Sequence, residues 1–537
     1  NPGSNSDPEP DPEPGEESCL LSPSEISEAQ RLIELGYIPL ACAEDFVSIS
    51  FEDSHNFAGQ SVTSGGLHKS YALVRNIDFS DSSYFESLIA GEFTGELNGL
   101  NRSLSNLSII SVNSDIGLFE SLGTNARVSN LKLIAFDIQG ASQVGALAGN
   151  IDNAGNIVIT NLEVNATVTG SNMNTGGLIG KVSNLNDTIT FSSIILSGDV
   201  FGTGNVGGMI GDLFSFINPI KIEKIQLNGN VFINNNVSVS GRGNGWKYGG
   251  LIGQVYNDNT SKLTLDQISH FGNVDGIRDV GGIIGNAAYT NIAITNSYTT
   301  GDINQLSNEI NESGIGGMIG RLLVTEARGG VVTSDIYIAA LISGGSLSNS
   351  GNVLGNSFGT YSRKIVTLSG IYIVTGSNIE SVGTFISSDV IGSSTEVLNE
   401  DMFNISTFVG WDVNTHSNPV KKIWSIGFNG ANSYPWLTWE NRPNLDQLIS
   451  VYTSIGYIPV SNLADLEAIK TSNLHTFSAA TAYELITNGG LSKSYFLLND
   501  INLSTNTPLN NSLIDGVFKG TFDGNGYTLS GLAINAS

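Results

Sequence analysis

The sequence predicts an all-β fold, a β-solenoid closed by short capping segments, and three observations predict it. A glycine-and-aliphatic string recurs along the middle of the chain at a period of roughly 30 to 40 residues, the signature of a repeat architecture. Between the strings lie short β-branched runs joined by Gly, Asn and Asp, such as NIVITNLEVNATVTG and TITFSSIILSGDVFG. The 537 residues include 64 glycines and only 14% charged residues. So few charges cannot solubilise the polar faces of long amphipathic helices, whereas short strands and turns need no such faces.

The strings read VGALAG at 144–149, TGGLIG at 175–180, VGGMIG at 206–211, YGGLIG at 248–253, VGGIIG at 280–285 and IGGMIG at 315–320. Degenerate copies follow as GNVLG at 351–355 and VGTFI at 382–386. Their first glycines are Gly145, Gly176, Gly207, Gly249, Gly281, Gly316, Gly351 and Gly383, spaced by 31, 31, 42, 32, 35, 35 and 32 residues. Read as strands, they point Leu178 and Leu251 to one face and Ile179 and Ile252 to the other, both faces being buried. The paired glycines let a second backbone approach or supply a bend. About three short strands per period then make one coil, and stacked coils pair at about 4.8 Å. The rival is a β-propeller, whose roughly four strands per blade fit a 31-residue period less well. Eight to twelve rungs are expected.

The remaining segments follow in order. Residues 1–22 form a tether: 1–18 hold five prolines and six acidic residues without a basic or large apolar one, a self-repelling spacer that cannot bury a core. Residues 23–110 form the N-terminal cap and opening segment. It starts with a helix over 23–35, capped by Ser22 or Ser24, with Ile26, Leu32, Ile33 and Leu35 on one face and Gly36 at its end. Cys19 and Cys42, the two cysteines, either pair as a disulfide in an oxidising compartment or stand as unrelated thiols. Residues 111–395 are the repeats, and 396–445 a Trp-rich C-terminal cap. Residues 446–537 open a second copy of the unit. GYIPL at 36–40 returns as GYIPV at 456–460, and GGLHKSYALVRNIDFS at 65–80 as GGLSKSYFLLNDINLS at 489–504. His55 and Phe57 return as His475 and Phe477, and FTGELNG as FKGTFDG. The chain starts at Asn1 with no visible signal peptide and reads as a mature or trimmed product. Either further units follow, or the half unit docks on something else.

The strings resemble the GLUG motif of bacterial surface proteins, roughly VGGLVG followed by NSYATGxV; Asn296, Ser297, Tyr298, Thr299, Thr300 and Gly301 match its second half. FTGELNGLNRSLSNLSI at 93–109 is similar to the segment that precedes such arrays. STFVGWDV, KKIWSI and YPWLTW between 406 and 439 are similar to the one that follows them. The likeness spans about 90–440. It implies a right-handed parallel β-helix in a secreted or surface-attached adhesin, and some relatives carry a metallopeptidase beside the repeats.

No chemistry of that kind is legible in this chain. The five histidines, His55, His68, His270, His416 and His475, never form HExxH, which a zinc peptidase needs on a helix. Asp199, Asp275 and Asp302 recur before the strings and read as Asx-type turn residues rather than a catalytic set. No Walker, dinucleotide or EF-hand motif is present. The expectation is therefore no enzyme and no catalytic or metal-binding residue; no cofactor is indicated, although structural calcium is compatible with the turns. A net charge of −27 with 23 basic residues argues against nucleic acid, and no run reaches the ~18 apolar residues of a membrane span. Trp411, Trp424, Trp436 and Trp439 either stack on sugar rings or close the last rung. The function expected is a rod-like extracellular bacterial surface adhesin contacting a host or neighbouring cell, a glycan or a solid surface. A spacer or filament subunit assembling homotypically through the C-terminal half unit is the second reading, and a carbohydrate-active β-helix enzyme the third.

Overall fold

In the computed structural model, the chain divides into two compact units, Asn1–Glu396 and Val397–Ser537. The structure describes residues 19–234, 246–306 and 314–323 and, in shorter stretches, much of 330–534. The tether at 1–18, the degenerate-string glycines Gly351 and Gly383, and His416 lie outside the described residues.

The first unit is a parallel β-solenoid of about 11 turns with little helix. One turn is made of Ile189–Ser197, Val200–Gly202, Asn205–Gly207 and Ile210–Phe216. The first two segments belong to one sheet, which runs the length of the solenoid, and the last two to a second. Four segments per turn, not three, is the first departure from the sequence reading. Each segment pairs in parallel with its counterpart in the next turn, so that Ile194 lies beside Ile225 and Ile210 beside Ile252. Alternation then stacks like on like: Val128, Ile159, Phe191, Ile222, Leu265 and Ile294 form one continuous buried column. A neighbouring column runs Leu133, Val164, Leu196 and Leu227, then His270 and Thr299. Each coil exposes apolar side chains above and below until the next coil covers them, and burial is worth about 25 cal/mol per Å².

The longest strands are not straight. Asn130, Asn161, Ser193, Lys224, Gln267, Asn296 and Asp335, one per turn and in register, have positive φ between 48° and 59°. A left-handed residue turns the strand by a corner, and Asn tolerates it best after Gly. The first two corners also join rung to rung, because Asn161 Nδ2 donates to Asn130 Oδ1 at 2.7 Å and to Asn101 Oδ1 at 3.2 Å.

The glycine strings differ from the expectation in one respect. Leu178 and Ile179 do not serve two separate faces. Both are fully buried in the same core, as are Leu251 and Ile252. The chain bends at Gly177–Leu178, between Thr175–Gly176 and Ile179–Leu185, and the bend interrupts strand alternation. At that bend the second glycines stack without room for a side chain. A Cβ on Gly177, Gly208, Gly250 or Gly282 would sit 2.1–2.2 Å from the carbonyl oxygen of the glycine one turn on.

At the N-terminal end, the helix Pro23–Glu34 starts at a Ser22/Glu25 capping box. Its Ala29 and Leu32 pack on Ala41, Ala58, Ala72 and Val74. Cys19 and Cys42 are disulfide-bonded, their Cα atoms 5.2 Å apart; Glu44 lies beside the bridge, but bonded sulfurs have no thiolate to offer a metal. Asp45, buried, accepts from the backbone of Ala41 and Ala58 and lies 2.8 Å from His55 Nε2. The second unit repeats this device. Asp465 Oδ1 lies 2.8 Å from His475 Nε2, and Tyr495 donates to Gly490 O at 2.9 Å as Tyr71 does to Gly66 O.

Candidate binding surface

Two features of the solenoid place chemistry in rows, the first outward-facing and the second partly buried. The first follows from the pleat: in each long strand the residue just before the corner points out. In register these residues are Asn98, Ser129, Thr160, Ser192, Glu223, Asp266, Thr295, Ser334 and Ser369. Eight are half-exposed and Ser369 is exposed. Every member is a short or acidic hydrogen-bonding side chain. At about 4.8 Å per rung, eight steps extend about 38 Å. Thr295 Oγ1 and Asn296 Nδ2 both donate to Asp266 Oδ1 at 2.7 Å, fixing part of the row from within.

The turn acids form a different ladder. Asp199 Oδ1 accepts from Asn230 N and Nδ2, Asn230 Oδ1 from Asn273 N, and Asn273 Oδ1 from Asp302 N, at 2.8–3.0 Å. Asp275 lies off this ladder and accepts from Asn304 Nδ2. These contacts bridge side chains to backbone across turns, as Asx residues do.

The second feature lies on the other sheet, at the corner around the glycine strings. The residue after each closing glycine stacks as Asn150, Lys181, Asp212, Gln254, Asn286 and Arg321. Beside it run Asn205, Lys247 and Asp279. Lys247 Nζ donates to Gln254 Oε1. Asp279 is buried; its Oδ2 accepts from Asn286 Nδ2 at 3.1 Å and lies 3.8 Å from Arg321 Nη1, while Oδ1 accepts from Gly314 N at 3.3 Å. Burial raises the Asp279 carboxyl above the usual range against the pull of Arg321 and Lys247. Burial likewise pushes Asp212 up to about 6, opposed by Lys247 and Lys181, and holds the Lys247 ammonium down. Both acids lie near Lys247, and Asp279 accepts hydrogen bonds at both oxygens.

The residues singled out from the sequence are distributed as follows. Gly145, Gly176, Gly207, Gly249 and Gly281 lie immediately before the bends and Gly316 lies inside the strand Ile315–Leu323, and a Cβ on Gly207 would meet Ile210 O at 2.0 Å. Trp424 is fully buried and Trp411 nearly so, their ring centroids 4.6 Å apart, with Phe408 tilted against Trp411 at 4.8 Å. Trp436 and Trp439 are half-buried. The fifth tryptophan, Trp246, which sequence reasoning passed over, is half-buried next to Lys247. The corner column was legible in one way: all six intact strings are followed by a polar residue.

Comparison with known proteins adds little. No protein-family profile matches the chain. Halomucin of Haloquadratum walsbyi is 33% identical over 124 residues, 20% of this chain and about 1% of halomucin's length. A crystal structure of a Bacteroides ovatus protein, provisionally named an immunoglobulin A1 protease, aligns over 70% of this chain and 87% of its own. With 17% identity and a TM-score of 0.31, that alignment is too loose to equate the two folds. Among the described residues no helix is long and apolar enough to cross a membrane.

Proposed function

We propose that this chain is a secreted or cell-surface adhesin of the bacterial GLUG-repeat kind, attaching through the outward polar row on the long sheet. The carrying observation is the unbroken register of Asn, Ser, Thr, Glu and Asp from Asn98 to Ser369. A flat row of short hydrogen-bonding groups on a rigid scaffold suits a hydroxyl-rich partner, a glycan or a glycan-coated cell, and costs little side-chain entropy on contact. The GLUG-like strings and the short likeness to halomucin support a place outside the cell, as does the Cys19–Cys42 bridge. No catalytic role is proposed, because the turn acids and Asp279 are engaged in structural hydrogen bonds.

The test is attachment of the intact chain to a glycan array and to cells, compared with a Thr160→Arg/Ser192→Arg variant and a Trp439→Ala control. Both arginines replace half-exposed side chains and leave the core alone. The reading expects the double variant to lose attachment and the tryptophan control to keep it. Loss in the control alone would move the contact to the C-terminal unit. Failure of the intact chain to attach to anything would favour the spacer.

A further inference from the structure

We propose that the corner carrying Lys247, Arg278 and Arg321 is a second binding site, specific for an acidic sugar, one that bears a carboxylate or sulfate on an otherwise hydroxyl-rich ring. The inference rests on the adhesive reading and adds a ligand class at a site distinct from the polar row.

The first support is charge. The chain carries 50 acidic and 23 basic residues, yet three of the basic ones meet here, all electrostatically coupled to the one carboxylate of Asp279. Arg321 and Arg278 also act on Lys247, in the sense of like-charge repulsion. Holding three cations on one acid in a partly buried setting is unfavourable, and an added anion offsets it. Asp212, with a pKa of about 6, is ionised at neutral pH but faces Lys181 as well as Lys247, so four cations share two acids.

A second support comes from donors. Arg278 Nε is shielded from solvent and has no hydrogen-bond partner among the described residues. Arg278, Lys247 and Arg321 are each partly exposed, the Arg321 side chain to 17%, so an anion can approach the group from outside. Such bonds, with both partners charged, are about twice as strong as neutral ones.

The surroundings separate a sugar from a polyphosphate. Gln254, partly exposed, stacks between Asp212 and the buried Asn286, and an amide offers a hydroxyl both donor and acceptor. Asp212 Oδ1, shielded and with no hydrogen-bond partner among the described residues, can accept from a ring hydroxyl, a donor that a phosphodiester backbone lacks. Trp246, whose carbonyl accepts from Asp279 N at 3.2 Å, packs on the hydrophobic core and anchors the start of the strand that carries Lys247.

Calorimetric titration of the full chain decides the matter. The probes are tetragalacturonate, its fully methyl-esterified form with the same rings and no charge, a sulfated chondroitin tetrasaccharide, and oligothymidylate of matched charge. The proposal expects one or both acidic sugars to bind, the ester and oligothymidylate to bind at least tenfold more weakly, and affinity to fall with salt. Arg278→Gln should weaken acidic-sugar binding at least tenfold with an unchanged melting temperature, and Arg278→Lys should restore part of it. If Arg321→Gln fails to fold, Arg278→Gln still decides. Binding of the ester as tightly as the acid would overturn the proposal, as would unchanged binding by Arg278→Gln. Preference for oligothymidylate would assign the corner to nucleic acid instead. Attachment to cells that survives Arg278→Gln but not Thr160→Arg/Ser192→Arg would retain the adhesin and remove this site from it.

Discussion

At the scale of single residues the solenoid imposes its rule most severely where a position departs from its column. His270 occupies a place held by Leu133, Val164, Leu196 and Leu227 in the preceding turns. It is fully buried, with Nδ1 3.2 Å from Thr299 Oγ1 and Nε2 without a partner among the described residues. Burial depresses its pKa from 6.5 to about 4. The unfolded chain therefore takes up a proton near pH 6.5 that the folded chain refuses until about pH 4. Stability from this group is complete above 6.5 and lost as pH falls across that window, by up to about 3 kcal/mol. His270→Leu should remove that loss, seen as a smaller drop in denaturation midpoint between pH 7 and 4.5 than in the parent. Asp212, pushed up to about 6, acts in the opposite direction in both proteins, so the difference between them isolates His270. An equal drop would contradict the assignment. Gly250 departs the other way: a Cβ there meets Gly282 O at 2.1 Å and the His270 ring at 2.8 Å. Gly250→Ala should cost about 3 kcal/mol in denaturant unfolding, whereas Gly36→Ala, where nothing lies within 4 Å and only φ +87° is strained, should cost about 1.

At the scale of the element, the corner inside each long strand shows what the sequence does and does not disclose. Asn130 and Asn161 are 31 residues apart and share a hydrogen bond; that spacing was readable. Ser193, Lys224, Gln267 and Asp335 hold the same left-handed place with no residue type in common, so the column was hidden until register was known. Propensity alone cannot reveal it, since tertiary stacking holds even Lys224 there. Asn161→Ala loses both side-chain bonds and strains an alanine at φ 54°, and should cost about 2 kcal/mol. Asn161→Gly loses the same bonds without the strain and should cost about half as much by chemical denaturation. Equal costs would mean that backbone strain plays no part in the corner. The glycine strings were legible for the converse reason. Where two backbones touch, only one residue type fits, so Gly177, Gly208, Gly250 and Gly282 repeat by necessity. Their misreading as one straight strand came from applying period-two alternation across a bend.

At the scale of the molecule, the coil-per-period account makes residues about 31 apart in sequence into neighbours in space, and everything functional follows from that. The polar row exists only because Ser129, Thr160 and Ser192 stack, and the cation corner only because Lys247 and Arg321 converge from different turns. Neither could be recognised as a surface before register, although the polar residue after each glycine string was readable, since each turn contributes one ordinary polar residue. The most direct test is oxidative cross-linking of a Thr160→Cys/Ser192→Cys variant, with the native Cys19–Cys42 bridge already closed. Parallel neighbours at about 5 Å fall within the Cα separation a disulfide spans. The account predicts that mass spectrometry finds the two introduced cysteines joined in one linked peptide pair. It predicts no such link when Thr160→Cys is combined instead with Glu223→Cys, two turns on. Absence of the first link, or equal yield of the second, would contradict it.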